Sequence, residues 1–69
     1  MNFEKGDLVY VPQDVLLFGK QKRFRTNRPT TAVFIEEETG FTYKILVGAI
    51  PMSVRRNHIY PLKELNHAS

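Results

Sequence analysis

The sequence predicts an all-β domain in which about five short strands close into a small barrel. Apolar residues alternate with polar ones, β-branched and aromatic residues fill the apolar runs, and Gly or Pro separates these runs. A small all-β domain hides its sheet edges most simply by closing. An OB-like barrel is the alternative, although it usually needs more residues and a helix, which the pattern does not show.

The first half of the chain contains two short apolar runs and a basic segment. A turn signal at residues 5–7 precedes a strand at 8–11, which ends at a proline that has no N–H for a sheet ladder. A second apolar run covers residues 15–18. From Gly19 to Pro29 the chain is polar and cationic, and we interpret it as one long basic loop.

The second half predicts a central hairpin followed by two short strands. Strands at 30–37 and 41–47 are joined by a tight turn in which Gly40 takes positive φ. Gly48 and Ala49 then turn the chain into a strand at 50–55, where a proline indicates an edge or a bulge.

A short 3-10 turn at 56–58 leads into the last strand at 59–62. The predicted domain covers residues 1–62, and residues 63–69 form a polar C-terminal tail. A chain of 69 residues buries only about 60% of its unfolded surface, so its stability depends on few core positions. The predicted core comprises Val9, Val11, Val33, Ile35, Tyr43, Ile45, Val47, Val54, Ile59 and Leu62.

Two segments resemble barrels of the SH3-like superfamily. Residues 6–11 (GDLVYV) look like their G-D-x-V-x-V opening strand, and residues 57–62 (NHIYPL) look like their closing 3-10 turn and strand. Residues 4–62 are also similar to small uncharacterised proteins of tailed bacteriophages, including phages of cyanobacteria, with their K-G-D-L-V-x-V-P start and I-Y-P-L end. The resemblance implies a five-stranded SH3-like barrel and a viral source, and it implies no activity.

The motifs of peptide-binding SH3 domains are missing. Those domains hold proline-rich segments between aromatic ridges that include a tandem Trp, beside an acidic first loop. This chain has no Trp, its long loop is basic, and residues 52–54 (MSV) replace the expected Ser-Asn-Tyr. Polyproline recognition is therefore not expected.

Composition excludes several classes of protein. Without cysteine the chain has no disulfide framework, no thiolate zinc ligand and no thiol nucleophile. The longest apolar run, at 45–50, is far shorter than the ~20 residues of a membrane span, and charged residues near the start disrupt any signal peptide. We expect a soluble, cytoplasmic protein, in the host cytoplasm if its source is viral, with no membrane partner.

Catalytic and metal sites are not predicted. The reactive groups Ser53, His58, Asp7 and Asp14 come with no nucleophile elbow, glycine loop or cofactor fingerprint. Zinc needs three or four ligands, and the chain has only two histidines. Three glutamates at 36–38 point to alternate faces of a strand and do not converge on one cation. We predict a non-enzymatic protein without a cofactor.

The strongest functional signal is the basic segment at 19–28 (GKQKRFRTNR). It holds five of the ten cationic residues and no acid, and we expect residues 20–28 to be the most mobile internal segment. Such cations neutralise phosphates, and an aromatic among them stacks on bases. The segment equally suits an acidic protein surface, or it is only a solvated loop. The candidate residues are Lys20, Lys22, Arg23, Phe24, Arg25 and Arg28, with Arg55 and Arg56 as extensions and Tyr10 as an outward-facing aromatic.

These observations give two functional hypotheses. The first is a small non-enzymatic binding module whose basic loop engages nucleic acid or an associated complex. The second is a structural or host-modulating protein-interaction module, such as a phage accessory protein, that binds an acidic protein surface. In both cases we expect a monomer or a weak homodimer formed through exposed strand edges.

Overall fold

The computed structural model describes residues 3–62 and has seven strands and one 3-10 turn. The strands are β1 (Leu8–Val11), β2 (Leu16–Phe18), β3 (Arg23–Arg25), β4 (Thr30–Glu37), β5 (Thr42–Val47), β6 (Ile50–Arg55) and β7 (Tyr60–Pro61), and the 3-10 turn covers Arg56–His58. The all-β prediction is confirmed. The polar tail predicted at 63–69 lies outside the described residues.

All seven strands belong to one antiparallel sheet in the order β3-β2-β6-β5-β4-β1-β7. The two edges are β3 and β7, and within residues 3–62 no pairing joins them. The sheet therefore has more strands than the five predicted, and it is not closed. The two additional strands are β2, in the apolar run at 15–18, and β3, which belongs to the segment interpreted as a loop.

Much of the predicted basic loop is a β-hairpin. Leu17 of β2 lies opposite Phe24 of β3, and at the turn the Gly19 N–H donates to the Lys22 carbonyl oxygen at 2.8 Å. All three residues of β3 are exposed, and the alternation in Arg-Phe-Arg is too short to identify a half-buried strand. Pairing with β2 makes this segment a strand, and the composition of β3 does not reveal it.

We expect hydrogen exchange to separate the base of this hairpin from its tip. The Thr26 amide is buried and donates to the Val15 carbonyl oxygen at 2.9 Å, whereas Lys20 and Gln21 are exposed at the turn. Exchange measured by NMR should be roughly tenfold or more slower at Thr26 than at the tip, because the base opens only with the hairpin. Equal rates across residues 20–26 would restore the mobile-loop interpretation.

Six of the predicted core residues are buried, which confirms that part of the prediction. The prediction is wrong for Val33 and Ile35, which are only partly buried, because Ala32 and Phe34 of the same strand face the core. The confirmed residues are Val9, Val11, Tyr43, Ile45, Val54 and Ile59.

The pairing with β1 sets the phase of β4. Val9 points into the core and lies opposite Ala32, so β4 turns Ala32 inward. The register between β4 and β5 then shifts between Phe34 and Glu36, which marks a bulge at Ile35.

Two further core positions come from the β2 region, where Val15 and Leu17 are buried. Neither was predicted to be buried, because the run at 15–18 is apolar throughout and has no alternation that fixes a face. Val47 and Leu62, the remaining two residues of the predicted core, are only partly buried.

The β5–β6 turn and the β4–β5 turn are stabilised in different ways. Gly48 has φ of 65°, as the first central residue of a two-residue type II′ turn requires. Gly40 is not in this region, so the prediction of positive φ there is wrong. The Thr39 hydroxyl holds that turn instead, because its oxygen accepts hydrogen bonds from the Phe41 and Thr42 N–H groups, both at 3.0 Å.

Candidate nucleic-acid interface

The β2–β3 hairpin sorts its side chains onto two faces. Phe24 lies opposite the fully buried Leu17, so both side chains are on the core side of the sheet. Successive residues of a strand point to opposite faces, which places Arg23 and Arg25 on the outer side. The two arginines are separated by about 6.8 Å along the strand, so each can contact a different phosphate.

The side chain of Phe18 lies on the outer side of the sheet. Its strand, β2, stands between β3, which carries the two arginines, and β6. Its cross-strand partners are Arg23 in β3 and Ser53 in β6, and directly opposite residues share a face. Ser53 in turn pairs with Lys44 of β5. A transverse row of outer side chains therefore runs from Arg23 through Phe18 and Ser53 to Lys44.

A second row lies two residues along the strands. Arg25 is opposite Leu16, and Arg55 stands two residues beyond Ser53 on the same side of β6. We call the outer surface of β3, β2 and β6 the basic face. Its members are Leu16, Phe18, Arg23, Arg25, Ser53 and Arg55.

The hairpin is fastened at its base by Thr26, which is 1% exposed. Its hydroxyl donates to the Pro12 carbonyl oxygen at 2.7 Å and accepts from the Val15 N–H at 2.9 Å. Its backbone carbonyl accepts from the Asp14 N–H at 2.7 Å, and the Arg25 Nη1 donates to the Asp14 carbonyl oxygen at 3.1 Å. These bonds hold Arg25 in place relative to the core.

The tip of the hairpin also contacts the body of the sheet. A methyl group added at Gly19 would lie 3.5 Å from Met52 Cε, so this glycine sits directly over the β6 side chain. Lys20 and Lys22 flank Gln21 in the turn and are exposed. They extend the positive charge of the basic face beyond the end of β3.

Three predicted candidates lie away from the basic face. Tyr10 lies in β1, pairs with Thr31 and Tyr60 near the β7 edge of the sheet, and is only partly exposed. The Arg56 guanidinium donates to the Gly40 carbonyl oxygen at 3.0 Å, so it braces the β4–β5 turn.

The third is Arg28, which follows β3 and whose carbonyl oxygen accepts a hydrogen bond from the Thr30 hydroxyl at 3.0 Å. Its side chain is exposed beyond the end of the hairpin. The hairpin thus groups four of the five cations of the basic segment, while Arg28 stands beside the start of β4.

The exposed aromatics differ from the expectation that Tyr10 ranks first. Phe41 is 80% exposed in the β4–β5 turn, Phe24 is 49% exposed on the core side of the hairpin, and Tyr60 is also exposed. Phe18 is partly buried, as expected, yet it is the aromatic that shares a face with the arginines. Cross-strand pairing alone reveals that role, and no periodicity in the sequence could have indicated it.

Negative charge lies on the same outer side of the sheet, at β4 and the turn that follows it. Glu36 is opposite Lys44, and the next two glutamates lead into the β4–β5 turn. The transverse row of outer side chains thus changes from positively charged at β3 to negatively charged at β4. A polyanion is therefore favoured over β3, β2 and β6 and repelled beyond β5.

A cleft of about 270 Å³ lies near the 3-10 turn, away from the basic face. Phe3 and Tyr43 form part of its wall, and both pack against Phe34, with ring centroids 5.5 and 5.2 Å from that ring. Among residues 3–62, the His58 Nδ1 is the buried side-chain atom that lacks a hydrogen-bond partner. The wall is aromatic and belongs to the end of the core.

Across residues 3–62 there is no group of three or more His, Cys, Asp or Glu side chains that could hold a metal ion. The part of the chain that the structure describes contains no helix with the length and apolar character that a bilayer crossing requires. Comparison with protein-family models, curated proteins and solved structures finds no match to this chain.

Proposed function

We propose that this protein is a small non-enzymatic binding module, of the SH3-like barrel type, whose basic hairpin engages nucleic acid. The observation that carries the proposal is the shared face of Arg23 and Arg25 on a hairpin that Thr26 fastens to the core. The Arg25 side chain is held by the Asp14 carbonyl oxygen and loses less conformational freedom on contacting a phosphate than a free side chain would. Guanidinium groups match phosphate geometry.

The strand order supports the SH3-like part of the proposal. β1 lies between β4 and β7, and a 3-10 turn directly precedes the last strand, as in the closing segment that the sequence resembles. On this interpretation the β2–β3 hairpin is an elaborated connection between the first and second strands of the barrel.

Binding should weaken steeply as salt is raised. If three to five of the cations in residues 20–28 contact phosphates, raising salt from about 50 to 200 mM should weaken duplex binding roughly 40- to 500-fold, because the slope is about −0.9 per contact. Arg23→Ala and Arg25→Ala should each flatten this slope by about one unit without altering sequence preference. Fluorescence anisotropy with labelled DNA and RNA measures both effects.

Lys5→Ala is the matched control, because Lys5 is an exposed cation in the turn before β1, a strand that is not part of the basic face. It removes the same charge and should leave the salt slope unchanged. Absence of binding at micromolar protein in about 50 mM salt would refute the proposal. An acidic protein partner would then lead, and a pull-down that survives nuclease treatment would identify it.

A further inference from the structure

We infer that the basic face takes single-stranded nucleic acid, and that Phe18 is the residue on which a base stacks. The inference rests on the proposed function and adds a substrate class and a recognition residue to it. It also replaces Phe24, the aromatic that the sequence singles out, with one that the sequence does not favour.

The positions of the two phenylalanines decide between them. Phe18 is directly opposite Arg23 and shares the outer side with Arg25, whereas Phe24 points to the core side between those arginines. A strand whose phosphates contact Arg23 and Arg25 therefore has its bases over β2, where Phe18 lies. To reach Phe24, the same strand would have to pass around the sheet edge.

Phe18 is also held more firmly than Phe24. It lies in β2, which has a neighbour on each side, while Phe24 lies in the edge strand β3. A partly buried ring in an internal strand keeps its orientation, so stacking on it costs little side-chain entropy. Its cross-strand neighbour in β6 is Ser53, whose small side chain covers less of the ring than a large residue would.

Stacking and the surrounding charge both favour a single strand over a duplex. The bases of a duplex are already stacked on one another, so Phe18 would find no unstacked base to contact. The positive outer surface spans β3, β2 and β6 and gives way to Glu36 three pairings from Phe18. A second backbone extending across the sheet would approach that acidic side.

The test compares three labelled probes of equal length by anisotropy in about 50 mM salt: oligo-dT, an abasic strand with the same number of phosphates, and a duplex. We expect oligo-dT to bind most tightly. Phe18→Ala should weaken oligo-dT binding roughly 5- to 150-fold, the range of one stacked base, and change binding of the abasic strand and the duplex less than about twofold.

Two further variants complete the test. Phe18→Leu keeps an apolar side chain at this position and removes the aromatic ring, so it should show the same selective loss of oligo-dT binding. Circular dichroism should report that this variant is folded. Phe24→Ala deletes a more exposed phenylalanine from the same hairpin and should change oligo-dT binding less than about twofold.

The outcomes separate the two proposals. If no probe binds, the proposed function itself fails. If the duplex binds as tightly as oligo-dT, if Phe18→Leu binds oligo-dT normally, or if Phe24→Ala shows the loss instead, the inference about Phe18 is overturned while nucleic-acid binding stands.

Discussion

Ile45→Ala should lower the free energy of unfolding by about 2–5 kcal/mol, which is a large fraction of the total for a domain of this size. Ile45 is 0% exposed, and its partners across the sheet are Phe34 on one side and Met52 on the other. Truncation removes apolar contacts and leaves a cavity at the centre of the sheet, which the rigid neighbouring strands cannot close. Urea unfolding followed by circular dichroism measures the change.

Ile50→Ala is the matched control, because the same residue type is 61% exposed at the start of β6. It should change stability by no more than about 0.5 kcal/mol. Should Ile45→Ala fail to fold, Ile45→Val provides a graded measurement with an expected loss of about 0.5–1.5 kcal/mol. A loss at Ile45 no greater than at Ile50 would contradict the assignment of Ile45 to the core.

Thr26→Val should cost about 2–4 kcal/mol, although valine nearly matches threonine in shape and is more apolar. The hydroxyl of Thr26 bridges the Pro12 carbonyl oxygen and the Val15 N–H, and valine leaves both without their partner. A buried polar group deprived of its hydrogen bond costs roughly 1–3 kcal/mol. Urea unfolding again measures the loss, with the slope of the transition expected to stay constant.

Two controls separate the hydroxyl from the methyl group. Thr26→Ser keeps both hydrogen bonds and should lose much less than Thr26→Val, and Thr31→Val on an exposed position of β4 should be nearly neutral. If Thr26→Ser is as destabilised as Thr26→Val, packing rather than hydrogen bonding explains the burial of Thr26. Because Thr26 also positions Arg25, Thr26→Val should weaken phosphate binding as well.

The strands that pack one face against the core could be found in the sequence. The bounds of β1, β4 and β6 and of the 3-10 turn match the predicted segments, and β5 begins one residue later than predicted. β1, β4 and β5 bury alternate side chains, so their order of residues reflects the requirement for an apolar core. β6 buries Val54 alone. The charge of the hairpin is likewise a property of sequence alone.

The phase of β4 could not be read from the sequence. In its apolar stretch Ala32 and Phe34 occupy one parity and Val33 and Ile35 the other, so both faces are apolar. Pairing with β1 and the bulge beside Phe34 decide which pair is buried. The first of these contacts joins Val9 to Ala32, 23 positions apart, and the second joins Phe34 to Ile45, 11 positions apart; periodicity reports neither.

The sequence by itself determined an all-β fold, most strand positions and a basic segment, which lies along the chain between the first predicted strand and the central hairpin. Only the tertiary structure decided that this segment contains a strand, that the sheet stays open between β3 and β7, and that Phe18 shares a face with Arg23. The physical reason is that β3 buries none of its side chains. Its conformation and the composition of the basic face come from backbone pairing, which places residues by register and leaves no pattern in their order.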